Sequence, residues 1–288
     1  MNKIIRFCLF SLFLVTVLSC RQHDEDYRHA FGKTTDLGNY IQEDDIFYRG
    51  DINTVHDSYI KEKCRLDIYY PKNGKNLTTI FFVHGGYLTG GDKFIPEAFL
   101  DKGFIIVSVN YRLSPNVRHP AYIEDVAAAM NWTFQNIEKY GGSREKIYLT
   151  GHSAGAYLAS MIFFDKSYLQ KYHINSDSLL GLYSFSGQMT THMTVYKEET
   201  GNTTSSASEY IDQYAPLYHT RKTDRPIYLY VGDRTLDLAG RYTQNVLMKE
   251  ELEKKGCENV FFHEFTNENH GTMLDAASKV SINNIYSE

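Results

Sequence analysis

Ile147-Tyr-Leu-Thr-Gly-His-Ser-Ala-Gly155 decides how the chain is read. Ile147 to Thr150 has the apolar character of a short buried strand, and Ala154 to Phe164 has a helical pattern that begins with small residues. A serine held between strand and helix, with glycine two residues to either side, is the context of a nucleophile elbow. The glycines answer a steric demand, because larger side chains at 151 and 155 would collide with neighbouring backbone. The helix N-terminus beneath Ser153 also favours developing negative charge. Gly-x-Ser-x-Gly by itself recurs by chance; in this position it marks Ser153 as a nucleophile.

Working outward, Thr79-Ile-Phe-Phe-Val-His84 and Phe104-Ile-Ile-Val-Ser-Val109 are continuous apolar runs, as expected of strands buried on both faces. Phe94 to Lys102 between them fits a short crossover helix. Ala121 to Tyr140 keeps helical spacing and ends at Gly141-Gly142. Leu180 to Phe185, Ile227 to Val231 and Val260 to Phe265 read as further strands, and Arg241 to Lys255 as a helix closed by Gly256. Cys64 to Tyr70 alternates, and with Thr54 to Ile60 suggests an antiparallel pair at a sheet edge. Strands alternating with helices predict an α/β fold with a largely parallel sheet covered on both faces. Met189 to about Ser208 breaks the alternation. It is polar and rich in Thr and Ser, and reads either as a cap or lid (residues 189–208) or as a floppy surface loop.

Composition narrows the function classes. The 288 residues are 42% hydrophobic and 23% charged, with 23 Tyr and 17 Phe, which excludes wholesale disorder. The net charge of -5, with no run of Lys and Arg longer than two, argues against a nucleic-acid groove, which needs concentrated positive charge. No Cys-x-x-Cys, His-Glu-x-x-His or Asp-rich loop is present, so neither a metal nor another cofactor is expected.

A serine hydroxyl needs a base, and the base needs an acid to orient it. In a fold of this kind the chain order is Ser, acid, His. His263 lies inside the last apolar run and is expected to pack there. His270, in Asn267-Glu-Asn-His-Gly271, lies just past it and is the expected base. Gly232-Asp-Arg-Thr-Leu-Asp237 offers two acids. Asp233 can instead cap its own turn, and Asp237 can simply be an N-terminal helix charge. His84-Gly-Gly-Tyr87 ends a strand, so the N–H groups of Gly86 and Tyr87, with that of Ala154, form a candidate oxyanion hole.

Together these residues resemble the α/β-hydrolase superfamily, and within it the small esterases related to hormone-sensitive lipase, feruloyl or acetyl-xylan esterases and kynurenine formamidase. The resemblance rests on Leu66-Asp-Ile-Tyr-Tyr-Pro71, His84-Gly-Gly-Tyr87 with Gly91-Asp-Lys93, Asn110-Tyr-Arg-Leu-Ser-Pro115, His119-Pro-Ala-Tyr-Ile-Glu-Asp125, Trp132 and the elbow. It implies the α/β-hydrolase fold, with a mostly parallel central sheet, and a serine esterase acting through an acyl-enzyme. Acetyl or feruloyl esters on carbohydrate are the implied substrates. Amide hydrolysis of the formamidase kind and a non-catalytic binding module on the same fold are the alternatives.

It also bears on the acid. Relatives carry a Gln-Ser-like pair seven residues after the acid, and Gln244-Asn245 stands seven after Asp237. Asp237 is therefore the expected acid; Gly232, however, stands five residues before it where relatives have three, so Asp233 remains the alternative. Tyr87 replaces the third Gly or Trp of many relatives and is expected, with His152, to line the substrate site. Asp67, Asp92, Arg112 and Asp125 match positions that hold strands and loops.

The N-terminus reads as targeting. Lys3 and Arg6 precede an apolar stretch from Phe7 to Leu18, too short for a bilayer core that needs about 20 residues. Val17-Leu-Ser-Cys20 resembles a bacterial lipobox, which makes residues 1–19 a signal peptide and Cys20 the lipidated residue. A plain secretory signal with Cys20 incidental is the other reading. On the first, the protein is an exported lipoprotein of a Gram-negative envelope, touching the membrane only through its anchor. Residues 20–45 then form a polar tether and residues 46–288 the catalytic domain. Oligomeric state is not legible.

Overall fold

The computed structural model describes residues 33–50, 57–202 and 210–287. The expected signal peptide and Cys20 lie outside them. Nine strands form one sheet among the described residues, in the order β1-β2-β3-β5-β4-β6-β7-β8-β9. They are β1 (Lys33–Asp36), β2 (Tyr40–Phe47), β3 (Arg65–Pro71), β4 (Leu77–Val83), β5 (Ile105–Val109), β6 (Gly142–His152), β7 (Gly181–Phe185), β8 (Ile227–Gly232) and β9 (Val260–Phe265). From β5 to β9 every neighbouring pair is parallel, while β1, β2, β3 and β5 pair antiparallel.

The parallel strands are apolar because helices cover them. All five residues of β5 and of β7 are buried. On one face, α2 (Ala121–Asn136) and α3 (Ala154–Phe164) pack against the sheet, every residue of α3 is buried, and the short α4 (Lys166–Gln170) follows it. The sequence also implies α6 (Arg241–Lys254). A closing helix, α7 (Met273–Ser287), was not foreseen, although Met273, Ala277, Ser281 and Ile282 face inward at helical spacing. It packs on the opposite face, in a second cluster with Phe99, Phe104, Tyr183, Phe185 and Tyr230.

Four expectations need correction. The stretch expected as a tether, residues 20–45, is partly sheet: β1 and β2 form an antiparallel hairpin over residues 33–47, and β2 pairs with β3. Residues 20–32 are outside the described part. The expected strand from Thr54 to Ile60 is instead, over its described part, the start of α1 (Ser58–Lys63), because the Asp57 carboxylate accepts from the N–H groups of Tyr59 and Ile60. The expected crossover helix from Phe94 to Lys102 is only a 3₁₀ turn at Glu97–Phe99. Ser108 Oγ pins both backbone groups of Phe94 in an extended path, and Asp101 and Gly103, both at positive φ, end the stretch before a helix can nucleate. Finally, of the two readings of the insertion after β7, the loose surface loop fails over its described part. Thr190, Thr191 and His192 are buried, and α5 (Met193–Thr200) is tied down by Thr194 Oγ1 donating to the Tyr87 carbonyl at 2.6 Å and by Glu198 accepting from His119 N–H and Tyr122 OH. Residues 203–208 lie outside the described part.

Candidate active site

In an open parallel sheet the carboxyl ends of neighbouring strands face one crevice. Here β4, β6, β7, β8 and β9 are consecutive, so the segments that follow them converge. Those segments carry Gly85–Tyr87, Ser153, Ser186, Asp237 and His270.

Ser153 sits between β6 and α3 with φ 58° and ψ -120°, a strained conformation for a side chain to hold. The ladder holds it there: Ser153 N–H donates to the Phe185 carbonyl at 2.8 Å, extending the β6–β7 pairing by one residue. The glycines are required by close approach. A Cβ on Gly155 would lie 2.1 Å from the Val83 carbonyl oxygen, and one on Gly151 would lie 2.4 Å from that of Gly155.

His270 follows β9. Asn269 Oδ1 accepts from the N–H groups of Gly271 and Thr272, a side-chain turn that opens α7 and presents the imidazole. Ser153 Oγ lies 2.8 Å from His270 Nε2, and His270 Nδ1 lies 2.7 Å from Asp237 Oδ1. With Asp237 accepting from Nδ1–H, Nε2 is left to accept from the serine hydroxyl. The three residues, spread over 117 positions, thus form one hydrogen-bonded chain.

Asp237 is the acid in contact. Its side chain is 2% exposed. Burial favours its neutral form, but hydrogen bonds from His270 and Ser186 and from the N–H groups of Leu238 and Gly232 outweigh that and hold it below the ordinary carboxylate value. Asp233 does the other job considered for it. Its carboxylate accepts from the Thr235 hydroxyl and the N–H groups of Asn267 and Thr235, which hold it down to about 2. It braces the turn and does not touch His270.

Ser186 was missed. It follows β7 at φ 49°, hooked by its N–H to the Tyr230 carbonyl at 2.7 Å. Its Oγ lies 2.9 and 2.8 Å from the two Asp237 oxygens and 2.9 Å from His270 Nδ1. Ser184-Phe-Ser-Gly187 carries no motif, and only the chain's position after the next parallel strand hints at it.

The Gly85–Tyr87 turn lies against the nucleophile, since a Cβ on Gly85 would come within 3.0 Å of Ser153 Cβ. Gly86 adopts φ 120°, and a side chain there would meet the Gly90 carbonyl oxygen at 2.1 Å. Among the described residues the N–H groups of Gly86, Tyr87 and Ala154 meet no acceptor, as an oxyanion-binding set requires. Tyr87 is 47% exposed at the rim, in keeping with a substrate-facing ring.

His152 has a second contact that the sequence does not show. Besides lying next to the Gly85–Tyr87 turn, it braces the base-bearing loop: its Nε2–H donates to the His270 carbonyl at 2.7 Å, and its ring packs 4.8 Å from that of His270. Burial, reinforced by the neighbouring imidazole, lowers it to about 4, so it is neutral at physiological pH. His263 lies in β9 with its ring edge-on to Phe265, on an exposed face of the strand and away from the Ser153–Asp237 chain. Gln244 and Asn245 tie α6 to the segment after β7, Gln244 Oε1 accepting from Met189 N–H and Asn245 Nδ2 donating to the Gly187 carbonyl. Asp125 accepts from Arg49 and Arg112, and Asp67 from Asp45 N–H, both structural roles. Among the described residues no group of three or more His, Cys, Asp or Glu is placed to hold a metal ion, and no helix is long and apolar enough to cross a membrane.

Comparison with known proteins bears on the fold and the family. Esterase LipQ of Mycobacterium tuberculosis is 39% identical over 94 residues, which are 31% of this chain and 22% of that protein. The chain spans 10% to 39% of the length of the curated relatives it matches. A truncated carbohydrate esterase from gut microbiota superposes with a TM-score of 0.70 at 20% identity, covering 88% of this chain and 99% of that one. Esterase B of Lactobacillus rhamnosis superposes with a TM-score of 0.67 at 17% identity, covering 96% and 95%. These likenesses establish the α/β-hydrolase fold. The model of the BD-FAE family matches residues 66–252, from β3 through nearly all of α6, and the chain belongs to that family.

Proposed function

We propose that this protein is a serine hydrolase of carboxylic esters. The observation that carries this reading is the continuous Ser153–His270–Asp237 hydrogen-bonded chain, set beside three backbone N–H groups without acceptors. Ser153 Oγ attacks the ester carbonyl carbon while His270 Nε2 takes its proton. The tetrahedral oxyanion is held by the N–H groups of Gly86, Tyr87 and Ala154. The alcohol leaves with the proton from His270, an acyl group remains on Ser153, and water then repeats the sequence to release the acid. Asp237, ionised and anchored by four donors, holds the Nδ1–H tautomer and stabilises the imidazolium as it forms.

Acetyl or feruloyl esters on carbohydrate are the proposed substrates. The likeness to a carbohydrate esterase and the exposed Tyr87 ring, able to stack on a sugar or aryl group, support this. Ser153→Ala should reduce turnover of 4-nitrophenyl acetate by at least about 10⁴-fold. Survival of the activity would overturn the assignment. A panel of acetylated and feruloylated sugars beside N-formylaniline separates ester from amide preference. We further propose that residues 1–19 direct export and that Cys20 carries lipid, a reading supported by the Leu-Ser-Cys20 pattern; radiolabelled palmitate incorporation abolished in Cys20→Ala is the expected result.

A further inference from the structure

Arg241 opens α6, four residues after Asp237, and is only 4% exposed. Its Nε is buried without an acceptor, and among the described residues no carboxylate or carbonyl receives a hydrogen bond or ion pair from its guanidinium. Other inward-facing arginines are differently placed. Arg49 and Arg112 close on Asp125, and Arg221 binds Asp177, Ser176 Oγ and the Phe163 carbonyl. Asp237 is the acid nearest in sequence, but its oxygens are taken by His270, Ser186, Gly232 and Leu238.

The surroundings of Arg241 are those of the active site. It lies within electrostatic range of Asp237, Tyr87, His152 and His192. His192 Nδ1 accepts from Thr194 N–H, so its ring proton resides on Nε2, which meets no acceptor among the described residues. Burial lowers Arg241 to about 10, so it stays charged at neutral pH. A buried cation with donors unfilled is costly unless an anion completes it. One guanidinium without a neighbouring second cation balances a single negative charge, which fits a carboxylate.

We propose that Arg241 is an anion subsite beside the nucleophile and selects esters whose acyl or alcohol part carries a carboxylate. This rests on the ester-hydrolase reading. The test compares matched pairs: 4-nitrophenyl hydrogen succinate against its methyl ester, for the acyl side, and 4-acetoxybenzoate against its methyl ester, for the alcohol side. The full-length protein should prefer the charged member of at least one pair by tenfold or more in kcat/KM, mostly through KM. That ratio should fall to near one in Arg241→Gln and be partly restored in Arg241→Lys. No preference for the charged member in either pair, which needs no variant to observe, overturns the proposal. A preference that persists in Arg241→Gln does so as well. The neutral esters report on ester hydrolysis itself. Calorimetric titration of succinate into the Ser153→Ala protein, with and without Arg241→Gln, reads the anion subsite without turnover: binding that depends on Arg241 supports it, and binding that does not, or none, refutes it.

Discussion

Two buried aspartates invite comparison. Asp125, in α2, is closed in by Arg49 and Arg112, two cations whose charge never changes. Asp237, after β8, is surrounded by neutral donors and one imidazole: Ser186 Oγ, two backbone N–H groups and His270. The first carboxylate is fully neutralised and can only hold strands and helix together. The second is hydrogen-bonded only by dipoles and the imidazole, with Arg241 in electrostatic range but making no hydrogen bond to it, so its charge still favours the positive charge that His270 acquires when it takes the serine proton. The kind of partner, permanent cation or polarisable donor, separates a structural acid from a catalytic one.

That contrast can be broken experimentally. Asp237→Asn should lower kcat on 4-nitrophenyl acetate by about 10⁴-fold, because the wrong tautomer of His270 is then held in place. The melting temperature should move little. Asp125→Asn should do the reverse, costing roughly 3 kcal/mol of stability in chemical denaturation by leaving two half-buried cations under-compensated. Residual activity should scale with the folded fraction. A large loss of turnover in a well-folded Asp125→Asn protein would erase the distinction.

Ser186→Ala sharpens it. Removing one hydrogen bond to a charged group should lower kcat by about tenfold, with KM little changed. The smallest effect belongs to Asp233→Asn, whose carboxylate serves only its turn; a kcat within about threefold of the unsubstituted protein is expected in the same assay, since surface substitutions away from such contacts change little.

Much of this was legible in the sequence, for identifiable reasons. The parallel strands are buried on both faces and so read as unbroken apolar runs. The elbow is a local device, a strand, a turn and a helix with small residues where backbones approach, and its pattern survives in nine consecutive residues. His270 followed from chain order, since His263 fell inside a strand. The β1–β2 hairpin escaped notice because it is a partly exposed antiparallel edge: Lys33–Asp36 and Tyr40–Phe47 carry polar residues on faces open to water, and their composition matches that of a tether. Periodicity in α7 was present but lay beyond the last recognised motif.

The choice between Asp233 and Asp237 turned on a loop. Both are short-range neighbours in sequence, and only the path of residues 233–237, pinned by Asp233 N–H to the Glu268 carbonyl and by Asp237 N–H to the Asp233 carbonyl, sends one toward Asn267 and the other toward His270. Ser186 and Arg241 depended on tertiary structure still more. A serine after a strand and an arginine opening a helix are unremarkable in a sequence. The β7–β8 register brings the first to Asp237, and the packing of α6 withholds acceptors from the second. Sequence alone determined what is encoded by local sterics and by burial: the elbow, the apolar strands, the order of serine and histidine. The partners of each polar group were decided only by the fold, because hydrogen bonds between residues dozens of positions apart depend on strand order and register, and neither is written in any short stretch of chain.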